Sequence, residues 1–491
     1  MSNRRLSADE ASDHTRWQAF AICVGVASLT ILDLAKINVG LPPIEEALGA
    51  GPTELQIIVA GYALAFGLAL VPSGRFGDLH SRKAMFVVGL SLFTVASLMC
   101  ALAPNVTVLI VGRIVQGIAA GVQMPQVLGL IQQLFVGAER GRAFGLFGAV
   151  IGISTAFAPT LGGFLIGVGG QEDGWRWLFW MNIPLGIAAL LFAIKLLPSI
   201  QAHDEAGKEL DLVGILLLGL ATFSLMLPFV LTTGAPSDDP RRWFWLAGSV
   251  VALAAFVLWE RAFLARGKSP VLHVKLLRLA SYRNGLMIAT AWFAGIPAMF
   301  LIATLFLQTG LGLEPVYAGM VSILFALASA VTAWIGGNLV ERHGRRLVVA
   351  GIVAALAGLV LVLLAGVALP PEQAPWFMAL AMALAGAGGG FVISPNQTLT
   401  LQDVSLGQAG VAGSLTQVAQ RVGTAIGVAG ASAMFFSTIY REAGEESRLT
   451  VYHDALRNGM LVCIGVLVVA LVVSLVDLRR RVVAAETDEA A

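Results

Sequence analysis

Long apolar runs, separated by short polar breaks, repeat along almost all of this 491-residue sequence. A helix needs about 20 consecutive apolar residues to cross a bilayer. The runs do not alternate between apolar and polar residues, as the strands of a membrane barrel do. We therefore expect an all-α polytopic membrane protein with fourteen transmembrane helices, at residues 17–41, 55–72, 84–103, 106–132, 143–167, 177–197, 211–232, 243–263, 285–308, 316–337, 347–369, 376–399, 410–436 and 458–477.

Composition excludes several other classes of protein. Charged residues make up 12% of the chain, against about 25% in a typical soluble domain. The net charge of +1 leaves no basic excess to neutralise phosphates, so we expect no nucleic-acid partner. No loop is long enough for a catalytic domain, and Cys23, Cys100 and Cys463 are scattered within apolar runs. We expect neither an enzyme nor a cofactor or metal site.

The basic residues predict how the chain is oriented. With the N-terminus inside, the inner loops and the span ends beside them carry 22 of the 31 Lys and Arg, and the outer loops carry 6. This bias predicts that both termini are cytoplasmic. We expect the membrane to be a bacterial plasma membrane. The three remaining basic residues, Lys36, Arg113 and Arg421, lie within predicted spans and away from their ends.

An internal repeat divides the chain into two halves. Residues 74–83 (GRFGDLHSRK) and 337–346 (GNLVERHGRR) each link the second and third spans of a six-helix set. Parallel halves of this kind occur in transporters that bind substrate between them. We expect a cytoplasmic tail at 1–16, a six-helix bundle at 17–200, a two-helix insert at 201–265, a cytoplasmic linker at 266–284, a second six-helix bundle at 285–478 and a cytoplasmic tail at 479–491.

Five short motifs occur in order along the first half, at residues 32–42 (LDLAKINVGLP), 74–83, 113–117 (RIVQG), 158–163 (APTLGG) and 175–184 (WRWLFWMNIP). Together they resemble the major facilitator superfamily, and in particular its fourteen-span drug:proton antiporter branch. Ser81 and Ala158 stand where that pattern usually has glycine, and Lys36 stands where the branch has an apolar or small residue. The resemblance covers nearly the whole chain.

The resemblance implies two six-helix bundles with two inserted helices, working by alternating access. It implies a multidrug or small-molecule efflux antiporter, energised by the proton gradient without a cofactor. The expected partners are a small-molecule substrate, protons and the lipid bilayer, with the protein as a monomer. An alternative is a proton-coupled exporter of a specific metabolite, amino acid or anionic natural product.

Charged residues inside the spans are the candidates for proton coupling. Asp33 lies deep in an apolar span, and Lys36 shares its helix face at i+3. Burial favours a neutral carboxyl and a nearby cation favours the carboxylate. Lys36 is therefore either a counter-ion that displaces the proton from Asp33, half of a permanent salt bridge, or an anion-binding residue. Arg113 is expected to face a wet cavity or an acidic partner, and the resemblance implies that it assists proton transfer.

Other motif residues point to conformational change or to simpler roles. Charged side chains at the repeated loops form a candidate latch that breaks when the halves rock; the alternative is that they only hold the loops inside. Its members are Gly74, Asp78, Arg82, Lys83, Glu341, Arg342 and Arg345. Pro159, Gly162 and Gly163 are expected to let span 5 bend and pack closely. Arg421 is either a second buried cation or a side chain that snorkels to the interface.

The family pattern implies a substrate cavity lined by spans 1, 4, 9 and 12. For each aromatic residue the alternative is ordinary packing or lipid contact. The candidate substrate-binding residues are polar or aromatic members of these spans and of span 2: Asn38, Tyr62, Gln116, Gln123, Gln126, Trp292, Phe293, Gln308, Asn396 and Gln397. Tyr62 and Phe66, both on span 2, are weaker candidates.

Overall fold

The structure is a computed structural model that describes residues 13–170, 173–198, 211–232, 239–268, 274–405, 408–442 and 447–489. In this part of the chain there are helices and no strands. The first nine helices are α1 (Asp13–Leu48), α2 (Pro52–Leu79), α3 (Arg82–Ala101), α4 (Val106–Leu134), α5 (Gly137–Gly169), α6 (Trp177–Trp180), α7 (Asn182–Leu196), α8 (Leu212–Val230) and α9 (Phe244–Ala265). The others are α10 (Val274–Arg278), α11 (Ala280–Leu305), α12 (Pro315–Met320), α13 (Ile323–His343), α14 (Arg345–Ala368), α15 (Ala374–Leu401), α16 (Ala409–Glu442) and α17 (Arg448–Glu489).

Among the described residues, thirteen segments are long and apolar enough to cross a membrane, and some of these segments consist of consecutive helices. One further helix is bent, and counting it as a span raises the number to fourteen. The bent helix is α5, which turns by 47° between Thr155 and Thr160. Proline is a frequent cause of sharp helix kinks, and Pro159 lies in this short segment. The expected all-α membrane fold is confirmed.

Several predicted boundaries were wrong at the ends of spans. The residues expected in two loops, 74–79 and 337–343, belong to α2 and α13, so the α2–α3 connection is only His80 and Ser81. The expected linker at 266–284 contains α10 and the start of α11. Helices continue past the apolar run because their backbone hydrogen bonds remain satisfied in the polar interface, where apolar side chains are no longer needed. The predicted tails fall partly outside the described residues, as 1–12, 490 and 491 do.

Two expected spans are broken into pieces. A 3₁₀ turn (Gly174–Arg176), α6 and α7 together replace the predicted span at 177–197. Helices α12 and α13 replace the predicted span at 316–337, and a π-helical turn (Phe306–Gly310) extends α11. These breaks place short helices at the ends of two bundles, where sequence hydropathy does not distinguish them from a continuous run.

The two bundles share a core at one end of the molecule and have separate cores at the other. At the end that holds the α2–α3 connection (the α2–α3 end), Leu128 and Ile131 of α4 belong to the same buried cluster as Leu401 and Val411 from the second bundle. At the opposite end, the cluster around Trp175 contains no described residue of the second bundle. The bundles are therefore joined at the α2–α3 end. Among the described residues, α2 and α4 contact α16, and α5 contacts α13, α15 and the short α12.

Helices α8 and α9 form a hairpin beside this core. They pack on each other, and α8 also contacts α2 and α16. Asp211 caps the N-terminus of α8, and the Trp259 indole of α9 donates a hydrogen bond to the same carboxylate at 2.8 Å. The hairpin thus contacts both bundles on one side without lying between them.

Candidate functional site

The most extensive polar cluster lies inside the first bundle and is centred on the Asp33 carboxylate. One guanidinium nitrogen of Arg113 lies 2.6 Å from Asp33 Oδ2, and Lys36 Nζ lies 3.5 Å from Asp33 Oδ1. Their side chains are at most 1% exposed. The structure therefore brings together the three residues that the sequence analysis proposed for proton coupling, as one buried ion-pair network.

Neutral side chains complete this network. Asn182 donates from its amide nitrogen to Asp33 Oδ1 at 2.7 Å and accepts from Lys36 Nζ at 2.6 Å. Gln116 accepts from Arg113 at 3.0 Å and donates to Ser97 Oγ at 2.7 Å. Asn182 and Ser97 were missed as site residues by sequence reasoning, although Asn182 belongs to the motif at 175–184. An asparagine or serine side chain inside an apolar run is the sequence signal that points to such a network.

Local structure explains why these side chains meet. Asp33 and Lys36 share one face of α1, and Arg113 and Gln116 share one face of α4, because residues three apart on a helix are neighbours. Asn182 is the first residue of α7, directly after the break that follows α6. The Arg113 guanidinium also lies 4.2 Å from the centre of the Tyr62 ring. With one carboxylate and two cations, the network carries a formal charge of +1.

The arrangement has a clear chemical consequence. The Asp33 carboxylate accepts strong charge-assisted hydrogen bonds only while it is ionised. Proton uptake by Asp33 removes the attraction that holds Arg113 and Lys36 in place. A proton on Asp33 would therefore weaken the contacts that join α1, α4 and α7.

A second charged cluster joins the two bundles at the α2–α3 end. The Asp78 carboxylate accepts from Arg82 at 2.7 Å and also from the backbone N–H groups of Gly410 and Val411, each at 3.0 Å. Asp78 thereby caps the N-terminus of α16, which belongs to the other bundle. Gly74 leaves room for this approach, because a Cβ there would lie 2.7 Å from the Gly410 carbonyl oxygen.

The other candidate latch residues are placed differently. Lys83 donates to the carbonyl groups of Ile194 and Leu197 at the end of α7. Glu341 and Arg342 are exposed. Arg345 is buried and pairs with Asp477 of α17 at 2.6 Å. The repeat thus places an arginine at the start of α3 and of α14, but each pairs with a different helix.

The Arg345 cluster includes residues that the sequence analysis did not select. Asp477 accepts from Asn284 at 2.7 Å, and Arg345 also donates to Asn396 Oδ1 at 2.5 Å. Asp477 is the last residue of a predicted span, and a charged residue at that position is typical of an ordinary membrane boundary. Only the packing of α17 against α14 shows that it is buried.

We expect Asp477→Ala to lower the free energy of unfolding by about 3–5 kcal/mol, because Arg345 loses the carboxylate that neutralises it in a buried site. Asp454→Ala is the matched control, since Asp454 pairs with Arg457 on the same helix but both are partly exposed. Exposed pairs contribute about 1 kcal/mol or less. Thermal and denaturant unfolding in nanodiscs measures both changes, and equal losses in the two variants contradict a special role for the buried pair.

Gly162 and Gly163, which were expected to let the fifth span bend and pack closely, lie in the half of α5 beyond the bend. A Cβ at Gly162 would lie 3.2 Å from the Lys36 carbonyl oxygen, so this glycine allows α5 to approach α1 beside the charged network. A Cβ at Gly163 would meet no atom within 4 Å. Pro159 lies at the bend. The proposed function of these three residues stays a prediction.

The candidate substrate residues fall into separate groups. Tyr62, Gln116, Gln123 and Gln126 are buried in the first bundle, where Gln123 donates to Thr30 and Gln126 donates to the Ser73 carbonyl. Asn38 is exposed, and Gln308 lies in the π-helical turn. A narrow cavity in the second bundle is lined by four candidates and by residues that were not selected: Trp292, Phe293, Asn396, Gln397, Ala289, Val392, Ile393 and Gln420. Their binding roles stay predictions.

Most of the chain matches a known protein family and members of it. A family model described as Major Facilitator Superfamily matches residues 23–428. A probable actinorhodin transporter of Streptomyces coelicolor is 33% identical over 431 residues, which cover 87% of this chain and 74% of that protein. The multidrug resistance protein Stp of Mycobacterium tuberculosis is 30% identical over 405 residues, 82% of this chain and 72% of that protein.

A solved structure has the same overall architecture. It is that of the proton:xylose symporter XylE, with a TM-score of 0.62, 92% of this chain and 95% of that chain covered, and 16% identity. At this identity the likeness shows a shared fold alone.

Proposed function

Because this chain belongs to the Major Facilitator Superfamily, we propose that it exports amphipathic small molecules in exchange for protons. The superfamily consists of membrane transporters, which separates this chain from enzymes. The names of two relatives, a multidrug resistance protein and a probable actinorhodin transporter, support export as the direction and organic molecules as the cargo.

The observation that carries the proposal is the buried Asp33 carboxylate with its two cations. A proton that reaches Asp33 neutralises the carboxylate and frees Arg113 and Lys36 to move, and loss of that proton restores both ion pairs. At a membrane potential of 100 mV, one charge that crosses supplies about 2.3 kcal/mol. That energy supports roughly fiftyfold accumulation per proton, so a single acidic group is sufficient for useful export.

The packing of the bundles supports alternating access. Under the orientation that the basic residues predict, the α2–α3 end is cytoplasmic, and this is the end at which the bundles are joined. The opposite end, where the cores are separate, then faces outward. In this state substrate is released outside and Asp33 is loaded with a proton from outside; the reverse state opens at the α2–α3 end.

Lys36 is better explained as part of the coupling network than as an anion-binding residue. Its ammonium group is buried and already faces Asn182 Oδ1 and the Asp33 carboxylate. An anionic substrate would compete with both contacts. The structure therefore favours the interpretation in which Lys36 stabilises the ionised form of Asp33.

We expect Asp33→Asn to abolish uphill export while leaving exchange of substrate down its gradient measurable. The amide keeps the size of the side chain but does not ionise. In proteoliposomes with an imposed pH gradient, accumulation should fall about tenfold or more, which corresponds to the loss of at least 1.4 kcal/mol of coupling energy. Counterflow without a pH gradient should continue.

Glu372→Gln is the matched control, because Glu372 is an exposed acidic residue between α14 and α15. It should export as the unmodified protein does. Full uphill export by Asp33→Asn would show that proton coupling does not depend on this carboxylate.

A further inference from the structure

At the contact between the two bundles, Arg421 is a cation with no acidic partner among the described residues. It lies on α16, and its guanidinium carbon lies 4.7 Å from the centre of the Phe66 ring on α2. Its Nε atom is buried and has no hydrogen-bond partner among the described residues. Arg113 has Asp33 and Arg345 has Asp477, so Arg421 differs from both in having an aromatic ring in place of a carboxylate.

Other polar groups near this contact also lack partners in the described part of the chain. The Tyr62 hydroxyl is fully buried without a hydrogen bond, and the Tyr62 ring contacts that of Phe66, on which Arg421 stacks. The Nε2 atom of Gln397 is likewise unpaired. Gln397 lines the narrow cavity of the second bundle together with Gln420, which precedes Arg421 on α16. Buried polar groups normally have partners, and groups without one point to a ligand.

Aromatic side chains connect Arg421 to the charged network. Tyr62 lies beneath Arg113, Tyr62 and Phe66 meet edge to face at 6.2 Å between ring centres, and Phe66 lies beneath Arg421. The contact from α4 of the first bundle to α16 of the second is therefore continuous. A ligand that draws Arg421 away from Phe66 breaks the contact that joins α16 to this series of side chains.

We propose that Arg421 recognises an anionic group on the exported molecule and that the preferred substrates are planar aromatic anions. The proposal rests on the export function proposed above and names its substrate class. A guanidinium group binds a carboxylate or phenolate through two parallel hydrogen bonds and also stacks on flat rings. A ligand that draws Arg421 away would uncover the face of the buried Phe66 ring, and the buried Trp292 lines the narrow cavity together with Gln420. Lys36 and Arg113 are not available for this task because both already face the Asp33 carboxylate inside the first bundle, where their side chains are at most 1% exposed.

The test uses two xanthene dyes of similar shape and opposite charge, fluorescein as the anion and rhodamine 123 as the cation. Binding to the full chain in nanodiscs is followed by fluorescence anisotropy. For Arg421→Gln we expect the Kd for fluorescein to rise about tenfold or more, since a hydrogen-bonded ion pair is lost. The Kd for rhodamine 123 should stay the same or fall. Arg421→Lys should keep part of the preference for fluorescein.

Arg441→Gln is the control, because Arg441 lies on the same helix but is exposed at its end beside Glu442. Its affinity for both dyes should be unchanged. The proposal is overturned if Arg421→Gln raises the Kd for both dyes equally, if it raises the Kd for neither, or if the unmodified protein does not bind fluorescein.

The outcomes separate this proposal from the export function. If the unmodified protein exports rhodamine 123 uphill but does not bind fluorescein, export stands and the anion preference is wrong. If fluorescein binding depends on Arg421 but Asp33→Asn exports normally, the anion site stands and the assignment of proton coupling to Asp33 is wrong.

Discussion

Gly337→Leu should reduce transport to roughly one-hundredth of the normal rate, by preventing the bundles from closing at the α2–α3 end. A Cβ at Gly337 would lie 2.5 Å from the Gly141 carbonyl oxygen and 2.8 Å from Gly145 Cα. Both are backbone atoms of α5, so no side-chain rearrangement relieves the contact. Overpacking typically costs 1–3 kcal/mol, and about 3 kcal/mol shifts an equilibrium by about two powers of ten.

The change in conformation can be measured apart from transport. Ser394 is 1% exposed on α15 and faces Gly148 of α5. In a Ser394→Cys background, Gly337→Leu should increase the rate of maleimide labelling about tenfold or more, in proportion to the open population. Gly152→Leu is the control, because Gly152 also lies on α5 but a Cβ there would meet no atom within 4 Å. Normal transport by Gly337→Leu would show that the cycle does not need this close contact.

Asp78→Ala should destabilise the same closed end through a different interaction. The Asp78 carboxylate accepts two hydrogen bonds from backbone N–H groups at the start of α16, and both cross from one bundle to the other. Hydrogen bonds to a charged group contribute about 1.5–3 kcal/mol each. Their loss should shift the equilibrium towards the open state by on the order of 100-fold, and transport should fall accordingly.

Spin labels at His80 and Ser405, which are both exposed at the α2–α3 end, report this change as a longer distance distribution. Asp239→Ala is the control, because Asp239 also caps a helical turn but does so within its own exposed segment. An unchanged distance distribution in Asp78→Ala, with or without lower transport, would remove Asp78 from the closing contact.

Hydropathy was sufficient for most of the fold because the bilayer restricts spanning segments to long apolar helices. It failed where helices extend beyond the apolar run, as α2 does to Leu79, and where a run is broken into pieces, as at Met181. Neither feature changes the count of apolar residues. Breaks and extensions depend instead on backbone partners and on neighbouring helices.

The charged network was only partly predictable. Asp33 and Lys36 were found together because spacing on one helix is visible in the chain order, and Arg113 was found because an arginine in an apolar span is costly. Asn182, which bridges Asp33 and Lys36, was recognised only as a motif residue. A neutral amide carries a weak signal in the sequence, and its contribution appears only when α7 packs beside α1.

The amino-acid sequence by itself determined that this chain is a membrane protein of two related halves with charges inside its spans, because the cost of placing polar groups in lipid leaves few alternatives. Only the tertiary structure decided which charges neutralise one another. Asp33 pairs with Arg113 of α4, and Arg345 pairs with Asp477 of α17. Arg421 stacks on the Phe66 ring of the other bundle. The two ion pairs join residues 80 and 132 positions apart, and the contact of Arg421 with Phe66 crosses between the bundles. All three depend on distances between helices that no local pattern specifies.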